Sequence, residues 1–67
     1  MDNNKIGAIL VDLRIQKGKT VTEAAKDLEI STSALSMYEN GERIPRDNIK
    51  IRIATYYNKS VAAIFFA

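Results

Sequence analysis

The sequence contains no cysteine and no histidine among its 67 residues. Without cysteine, disulfide bonds and thiolate metal sites are excluded. Without histidine, the commonest general base and metal ligand is missing as well. Because no other group of residues suggests a catalytic arrangement, we predict that the protein is not an enzyme and needs no metal or other cofactor.

Long hydrophobic runs are also missing. The longest apolar run covers residues 61–67, whereas a membrane-spanning helix needs about 20 apolar residues. The first five residues, MDNNK, do not resemble the start of a signal peptide. We therefore expect a cytoplasmic protein without membrane contact. Residues 1–67 are short enough to form one domain, and whether they are a complete protein or the N-terminal piece of a longer one is left open.

Proline and glycine are scarce, with one proline and three glycines, while 46% of the residues are hydrophobic. This composition favours helices and makes an all-β fold improbable. Apolar residues at helical spacing and local capping signals predict five short helices. Their expected positions are residues 4–17, 21–28, 31–40, 47–57 and 61–66, with Thr20, Ser31, Asp47 and Ser60 as N-terminal caps and Gly18, Gly41 and Asn58 at helix ends.

The second and third predicted helices are separated by only three residues, Glu29 to Ser31. A turn this short forces the two helices to cross steeply, which is the geometry of a helix-turn-helix motif. In this motif the second helix projects outward, and its usual partner is the major groove of DNA. The spacing therefore predicts an all-α module that binds double-stranded DNA.

Charge is distributed unevenly along the chain. Residues 1–19 and 43–59 carry net charges of +2 and +4, whereas residues 20–42, the predicted motif, carry −4. Because phosphates require positive charge, the flanking segments would have to supply the phosphate contacts. The acidic motif is also the main support for an alternative, a protein-interaction module of the same fold (antitoxin-like or an anti-repressor partner) that binds DNA weakly.

The third helix has two chemically different faces. A helical wheel turns Leu35, Tyr38 and Glu39 inward and leaves the opposite face outward. The outward side chains are small, uncharged and able to contact base edges or thymine methyl groups, and they are Thr32, Ser33, Ser36 and Met37. Their chemistry alone is equally compatible with an ordinary solvated face, and the missing charge and the short turn favour groove contact.

A carboxylate on the inward face needs a partner, because burying an unpaired charge is unfavourable. Arg14, at the edge of the apolar stripe of the first helix, is the best candidate partner for Glu39. We predict a structural ion pair between them. Glu23 and Asp27, in contrast, are interpreted as a solvated face of the second helix.

The stretch LRIQKGKTVTEAAKDLEISTSALSMYENGERIP resembles the phage Cro/CI repressor (Xre-type) helix-turn-helix family, and IRIATYYNKSVAAIF resembles its last two helices. The marks of this resemblance include Leu13-Arg14, Ala25, the run from Tyr38 to Gly41, and Pro45. The resemblance implies a compact five-helix, lambda-repressor-like domain that regulates transcription as a sequence-specific repressor. It also implies base contacts from the third helix and phosphate contacts from Thr20, Thr22, Asn40, Arg43 and Arg46.

Two positions depart from the family pattern. Many members carry glutamine, which binds a phosphate, where this chain has Val21, and glycine where it has Glu29. A left-handed conformation at Glu29 would cost roughly 1 kcal/mol.

A single module of this size binds DNA weakly, so we expect a homodimer on a palindromic operator with half-sites about 34 Å apart. No small-molecule ligand is evident. The last helix is the expected dimer surface, through Val61, Ile64, Phe65 and Phe66, with one of the two phenylalanines packed inward and the other available to a partner.

Overall fold

The computed structural model describes residues 2–67, which form five helices and no strand. The elements in chain order are α1 (Asn3–Gln16), α2 (Val21–Leu28), α3 (Thr32–Glu39), α4 (Asp47–Tyr56) and α5 (Val61–Phe65). The all-α, five-helix prediction is confirmed. No helix within residues 2–67 is long and apolar enough to cross a lipid bilayer.

Local capping explains most helix starts. Thr20 and Glu23 form a reciprocal capping box, with the Glu23 amide 3.1 Å from the Thr20 hydroxyl and the Thr20 amide 2.9 Å from the Glu23 carboxylate. The hydroxyls of Ser31 and Ser60 each accept a 3.0 Å bond from the amide three residues on. These three predicted caps are confirmed, so the sequence alone locates the starts of α2, α3 and α5.

Two helix starts differ from the prediction. Asp2, which the sequence did not single out, caps α1 by accepting a 2.9 Å bond from the Asn4 amide. The prediction of Asp47 as the cap of α4 is wrong. The carbonyl of Arg46 already accepts 3.0 Å bonds from the amides of Ile49 and Lys50, so Arg46 is the N-cap residue and Asp47 is the first residue inside α4. In the first turn its carboxylate still interacts favourably with the positive end of the helix dipole.

One core joins all five helices. Its side chains are at most 8% exposed and are Ile6, Leu10, Ala24, Ala25, Leu28, Leu35, Tyr38, Ile53, Ala54, Tyr57, Ile64 and Phe65. α1 packs against both α3 and α5, and α4 packs against α2 and α5. The helix-turn-helix unit, α2 with α3, is therefore supported by α1 on one side and by α4 on another.

Gly7 marks the closest approach between α1 and α3. A Cβ atom at this position would overlap the backbone carbonyl oxygen of Glu39 and would lie 2.9 Å from its carbonyl carbon. Only glycine therefore allows α1 to lie this close to the end of α3.

Candidate nucleic-acid interface

α3 rests on the core with one face and leaves the other accessible. Leu35 is fully buried and Tyr38 is 8% exposed. On the opposite face, Thr32 and Ser33 are exposed, and Ser36 and Met37 are partly exposed. The structure thus brings the four predicted base-contacting side chains onto one outward surface.

The turn before α3 is tight and left-handed. Three residues separate α2 from α3, as predicted. The first of them, Glu29, has φ 59° and ψ 39°. The Ile30 amide donates a 3.0 Å bond to the Ala25 carbonyl, and the Ile30 side chain is partly buried against the core. The turn is therefore anchored at both its backbone and a side chain, although its left-handed residue is not glycine.

The end of α3 is held by the Arg14–Glu39 ion pair. The Arg14 Nε lies 2.9 Å from Glu39 Oε2, and its Nη2 lies 3.2 Å from Oε1, a two-pronged arrangement that fixes orientation. The side chains are 16% and 5% exposed. The third donor of Arg14, Nη1, bonds the Lys19 carbonyl at 3.0 Å, so one guanidinium connects α1, the start of α2 and the end of α3.

The predicted phosphate-contacting residues lie at exposed positions around the motif. Thr20 and Thr22 are exposed at the start of α2. Asn40, Arg43 and Arg46 are exposed in the segment between α3 and α4, which the buried Pro45 anchors. The hydroxyl of Thr20 already accepts the capping bond from Glu23, and its own O–H remains free to donate a hydrogen bond to a phosphate.

The predicted dimer surface is only partly available. Ile64 and Phe65 are fully buried inside the subunit, so their inclusion in that surface was wrong. They face the core because five residues of α5 present a single apolar stripe to α1 and α4. Phe66 is 62% exposed, as expected for one of the two rings, and Val61 is partly exposed. Together with Ile51, which is 59% exposed, these two residues line an open groove of about 360 Å³ between α4 and α5.

Polar contacts between α4 and α2 were not anticipated from the sequence. The Tyr56 hydroxyl donates a 2.6 Å bond to Asp27, and Lys19 lies 3.5 Å from the same carboxylate. Arg52 donates a 2.9 Å bond to the Leu28 carbonyl. The sequence shows only that Arg52 and Tyr56 are four residues apart and so share one face of α4. This spacing does not identify the residues of α2 that they contact.

Glu23 and Asp27 are both exposed, as the interpretation of a solvated face predicted, and each also accepts a hydrogen bond. The hydrogen bond from Tyr56 holds the pKa of Asp27 below its usual value, with a smaller contribution from Lys19. Hydrogen bonds from Thr20, first from its backbone amide, lower the pKa of Glu23. Both carboxylates therefore have structural partners.

Within residues 2–67, no group of three or more aspartate or glutamate side chains is arranged to hold a metal ion.

Two tyrosines at the end of α4 make the fold sensitive to alkali. Burial, with the nearby charge of Glu39, raises the pKa of Tyr57 to about 12, and burial and the bond to Asp27 raise the pKa of Tyr56 above its ordinary value of 10.0. Because the folded pKa exceeds the unfolded one, the stabilisation is complete below about pH 10 and is lost as pH rises toward 12. We expect alkaline unfolding in this window, measured by circular dichroism together with tyrosinate absorbance.

The matched variant for this prediction is Tyr57→Phe. The Tyr57 hydroxyl is buried and has no hydrogen-bond partner among residues 2–67. Removing it should shift the alkaline transition upward and raise stability at neutral pH by about 1 kcal/mol. An alkaline transition that does not move in Tyr57→Phe would contradict the role assigned to this phenol.

Taken together, a helix-turn-helix with an uncharged outward helix, braced by an ion pair and flanked by exposed arginines, is the architecture of a nucleic-acid-binding module. A helix-turn-helix family profile (HTH_3) matches residues 10–64. The chain belongs to the Xre-type (Cro/CI repressor) helix-turn-helix family, as its sequence motifs predicted.

Two individual proteins illustrate the relationship. The chain is 40% identical over 58 residues to the ImmF control region 10 kDa protein of Bacillus phage phi105, an alignment that covers 87% of this chain. The chain spans 64% of the length of that relative. The crystal structure of the clp gene regulator ClgR from C. glutamicum superposes with a TM-score of 0.81 at 26% identity, covering 98% of this chain and 86% of the other.

Proposed function

We propose that this protein is a sequence-specific DNA-binding transcriptional regulator of the repressor type that inserts α3 into the major groove. The observation that carries this proposal is the outward face of α3, which is uncharged and rigidly supported. Uncharged hydroxyl and methyl groups match base edges, and a supported helix can hold them in register. The phage control-region relative and the gene regulator with the same fold support this class of function.

Base reading is assigned to Thr32, Ser33, Ser36 and Met37. Their hydroxyls can donate to or accept from base edges, and the methyl groups of Thr32 and Met37 can contact thymine. None of the four can make the two-pronged contacts that arginine makes with guanine. Specificity is therefore spread over several weak contacts and over the shape of the DNA.

Phosphate binding is assigned to Arg43 and Arg46, with Asn40, Thr20 and Thr22 as uncharged donors. Residues 20–42 are acidic, and these two arginines are the positively charged residues nearest in sequence to α3 on its C-terminal side. In place of the glutamine side chain that many family members use, the free amides at the start of α2 and the threonine hydroxyls would bind the phosphate.

A homodimer on a palindromic operator completes the proposal. A single module buries about 600–1,000 Å² on DNA, which is small for a regulator that must find one site in a genome. Phe66, Val61 and Ile51 contribute the apolar surface of an exposed groove that a second copy would cover, and the charged residues Asp47 and Lys50 also line it. The groove is contributed by α4 and α5, so dimerisation through it leaves the outward face of α3 uncovered.

The function is tested by in vitro selection from a random DNA duplex pool at near-physiological salt. Enrichment of a dyad-symmetric site with half-sites about one helical turn apart is expected, and a single enriched half-site would instead indicate a monomeric reader. If the folded protein enriches nothing and its DNA affinity changes little with salt, the protein-interaction alternative replaces this proposal.

Variants separate the reading and positioning roles on the selected site. Ser33→Ala should relax preference at one base position by about 1 kcal/mol, the lower end of the range for a base contact, because a serine makes one hydrogen bond. Arg46→Ala should weaken binding to all sequences alike and reduce the slope of log affinity against log salt by about one. Lys59→Ala is the matched control, because it removes the same charge from an exposed residue outside the proposed contact surface. A change of base preference in Arg46→Ala would contradict these assignments.

A further inference from the structure

Two polar side chains one turn apart on α4 bind the last turn of α2. The Nη1 of Arg52 lies 2.9 Å from the carbonyl oxygen of Leu28, and the hydroxyl of Tyr56 lies 2.6 Å from Oδ2 of Asp27. Residues four apart on a helix share one face, so the two side chains reach neighbouring residues of α2 together. We call Arg52 and Tyr56 the α4 clamp.

The clamp acts where α2 ends in a strained turn. The last carbonyls of a helix have no partner within it, and Leu28 is buried, so its carbonyl depends on an external donor. Arg52 supplies that donor with a full positive charge at the negative end of α2. The next residue, Glu29, has the left-handed conformation that favours glycine.

Further contacts connect the clamp to the other end of α2. The ammonium of Lys19, just before α2, lies 3.5 Å from the Asp27 carboxylate. The backbone carbonyl of Lys19 accepts a 3.0 Å hydrogen bond from Arg14. The ammonium of Lys17 lies 4.7 Å from the centre of the Tyr56 ring. α2 is therefore held from the α1–α2 connection at one end and from α4 at the other, and the turn into α3 starts from a fixed base.

We propose that the α4 clamp positions α3 for DNA reading: Arg52 and Tyr56 hold the non-glycine turn at Glu29 and thereby set the angle between α2 and α3. These are positioning residues, since neither lies on the outward face of α3. A glycine at position 29 would adopt the left-handed conformation without strain, so the turn would need less support. Because this chain has Glu29 there, the clamp supplies that support. The consequence for DNA binding rests on the function proposed above, whereas the consequence for the turn does not.

The turn itself is tested by a double-mutant cycle without DNA. Arg52→Met keeps the aliphatic stem and removes the donor, and it should lower Tm by about 4–8 °C. Glu29→Gly relieves the left-handed strain and should raise Tm by a few degrees, on the order of 4 °C. Because the turn then needs less support, the Tm loss from Arg52→Met should shrink by about half in the Glu29→Gly background. Strictly additive shifts would overturn the clamp.

The DNA consequence is tested by the ratio of affinities for the selected site and for random duplex. Arg52→Met should reduce this ratio about ten-fold, with partial recovery when Glu29→Gly is added. Tyr56→Phe changes no charge and should also reduce this affinity ratio, by a smaller factor than Arg52→Met. All assays are run well below each variant's Tm, after circular dichroism confirms native helix content.

A matched control lies beside the clamp. The hydroxyl of Thr55 bonds only within α4, to the Ile51 carbonyl at 2.9 Å, so Thr55→Val removes a hydroxyl that does not reach α2 and should leave the ratio unchanged. A salt slope that falls by about one in Arg52→Met would make Arg52 a phosphate contact and overturn the positioning role. If the clamp variants distinguish the selected site from random duplex as well as wild type does, the positioning role is overturned too. A wild type that discriminates nothing would instead refute the proposed function, while the Tm cycle would still decide whether the clamp exists.

Discussion

Gly7→Ala is expected to destabilise the protein by about 3 kcal/mol, because one added methyl group must displace backbone. The new Cβ would overlap the Glu39 carbonyl oxygen, and the Tyr38 carbonyl oxygen is 3.2 Å away. Backbone cannot rotate aside as a flexible side chain can, so α1 and α3 must separate. A domain of this size has a total unfolding free energy of about 3–10 kcal/mol, so this change removes between about a third and all of the stability. Urea unfolding followed by circular dichroism measures the loss.

The neighbouring residue provides the control for this prediction. Ala8 is exposed on the same helix, and Ala8→Gly should cost about 1 kcal/mol, which is the ordinary helix preference for alanine over glycine. Alanine is therefore expected to be favourable at position 8 and strongly unfavourable at position 7. A Gly7→Ala variant that gained stability would mean that α1 and α3 are not in close backbone contact.

Breaking the Arg14–Glu39 pair is the second change with a large expected effect. Arg14→Met leaves the Glu39 carboxylate, which is 5% exposed, without the two donors at 2.9 and 3.2 Å. Removal of one partner from a buried pair costs about 3–5 kcal/mol, and the slight exposure of Arg14 suggests the lower end, about 3 kcal/mol. Thermal and urea unfolding at neutral pH measure this loss.

The double variant Arg14→Met/Glu39→Met distinguishes an ion pair from simple packing. Replacing both charges by apolar groups removes the unpaired carboxylate, so stability should recover most of the loss. If the single variant lost less than about 1 kcal/mol, the pair would behave like an exposed one and water would have to reach it. If the double variant were no more stable than the single one, the lost hydrogen bond from Arg14 to the Lys19 carbonyl would account for the effect.

The fold was predictable from the sequence where local chemistry decides the structure. Thr20, Ser31 and Ser60 cap their helices with bonds to amides three residues away, so their effect is visible in a short window. Asp47 failed as a cap because an acidic residue is favourable both before the first turn and within it, and the sequence does not distinguish the two. The inward position of Glu39 followed from helical periodicity, and Arg14 followed as its partner.

The α4 clamp was not predictable in the same way. Arg52 and its acceptor Leu28 are 24 residues apart, and Tyr56 and Asp27 are 29 apart, so both contacts depend on how α4 lies against α2. Periodicity specifies which face of α4 is apolar, but not which polar groups at its edge meet a partner. Ile64 and Phe65 were misjudged for a related reason, since a five-residue helix can bury these two side chains fully and leave the next residue, Phe66, exposed. The roles of the α3 side chains in base reading remain predictions.

The shared attachment of α3 at Glu39 also bears on how the folded chain fluctuates. Gly7 contacts the backbone of this residue and Arg14 holds its side chain, so the C-terminal turn of α3 opens only when α1 opens with it. The N-terminal turn is held by the Ser31 hydroxyl and by the buried Leu35, while Thr32 and Ser33 are exposed. Any fraying of α3 is therefore expected only at Thr32 and Ser33, ahead of the fully buried Leu35, and hydrogen exchange would report it as faster exchange there than in the last turn.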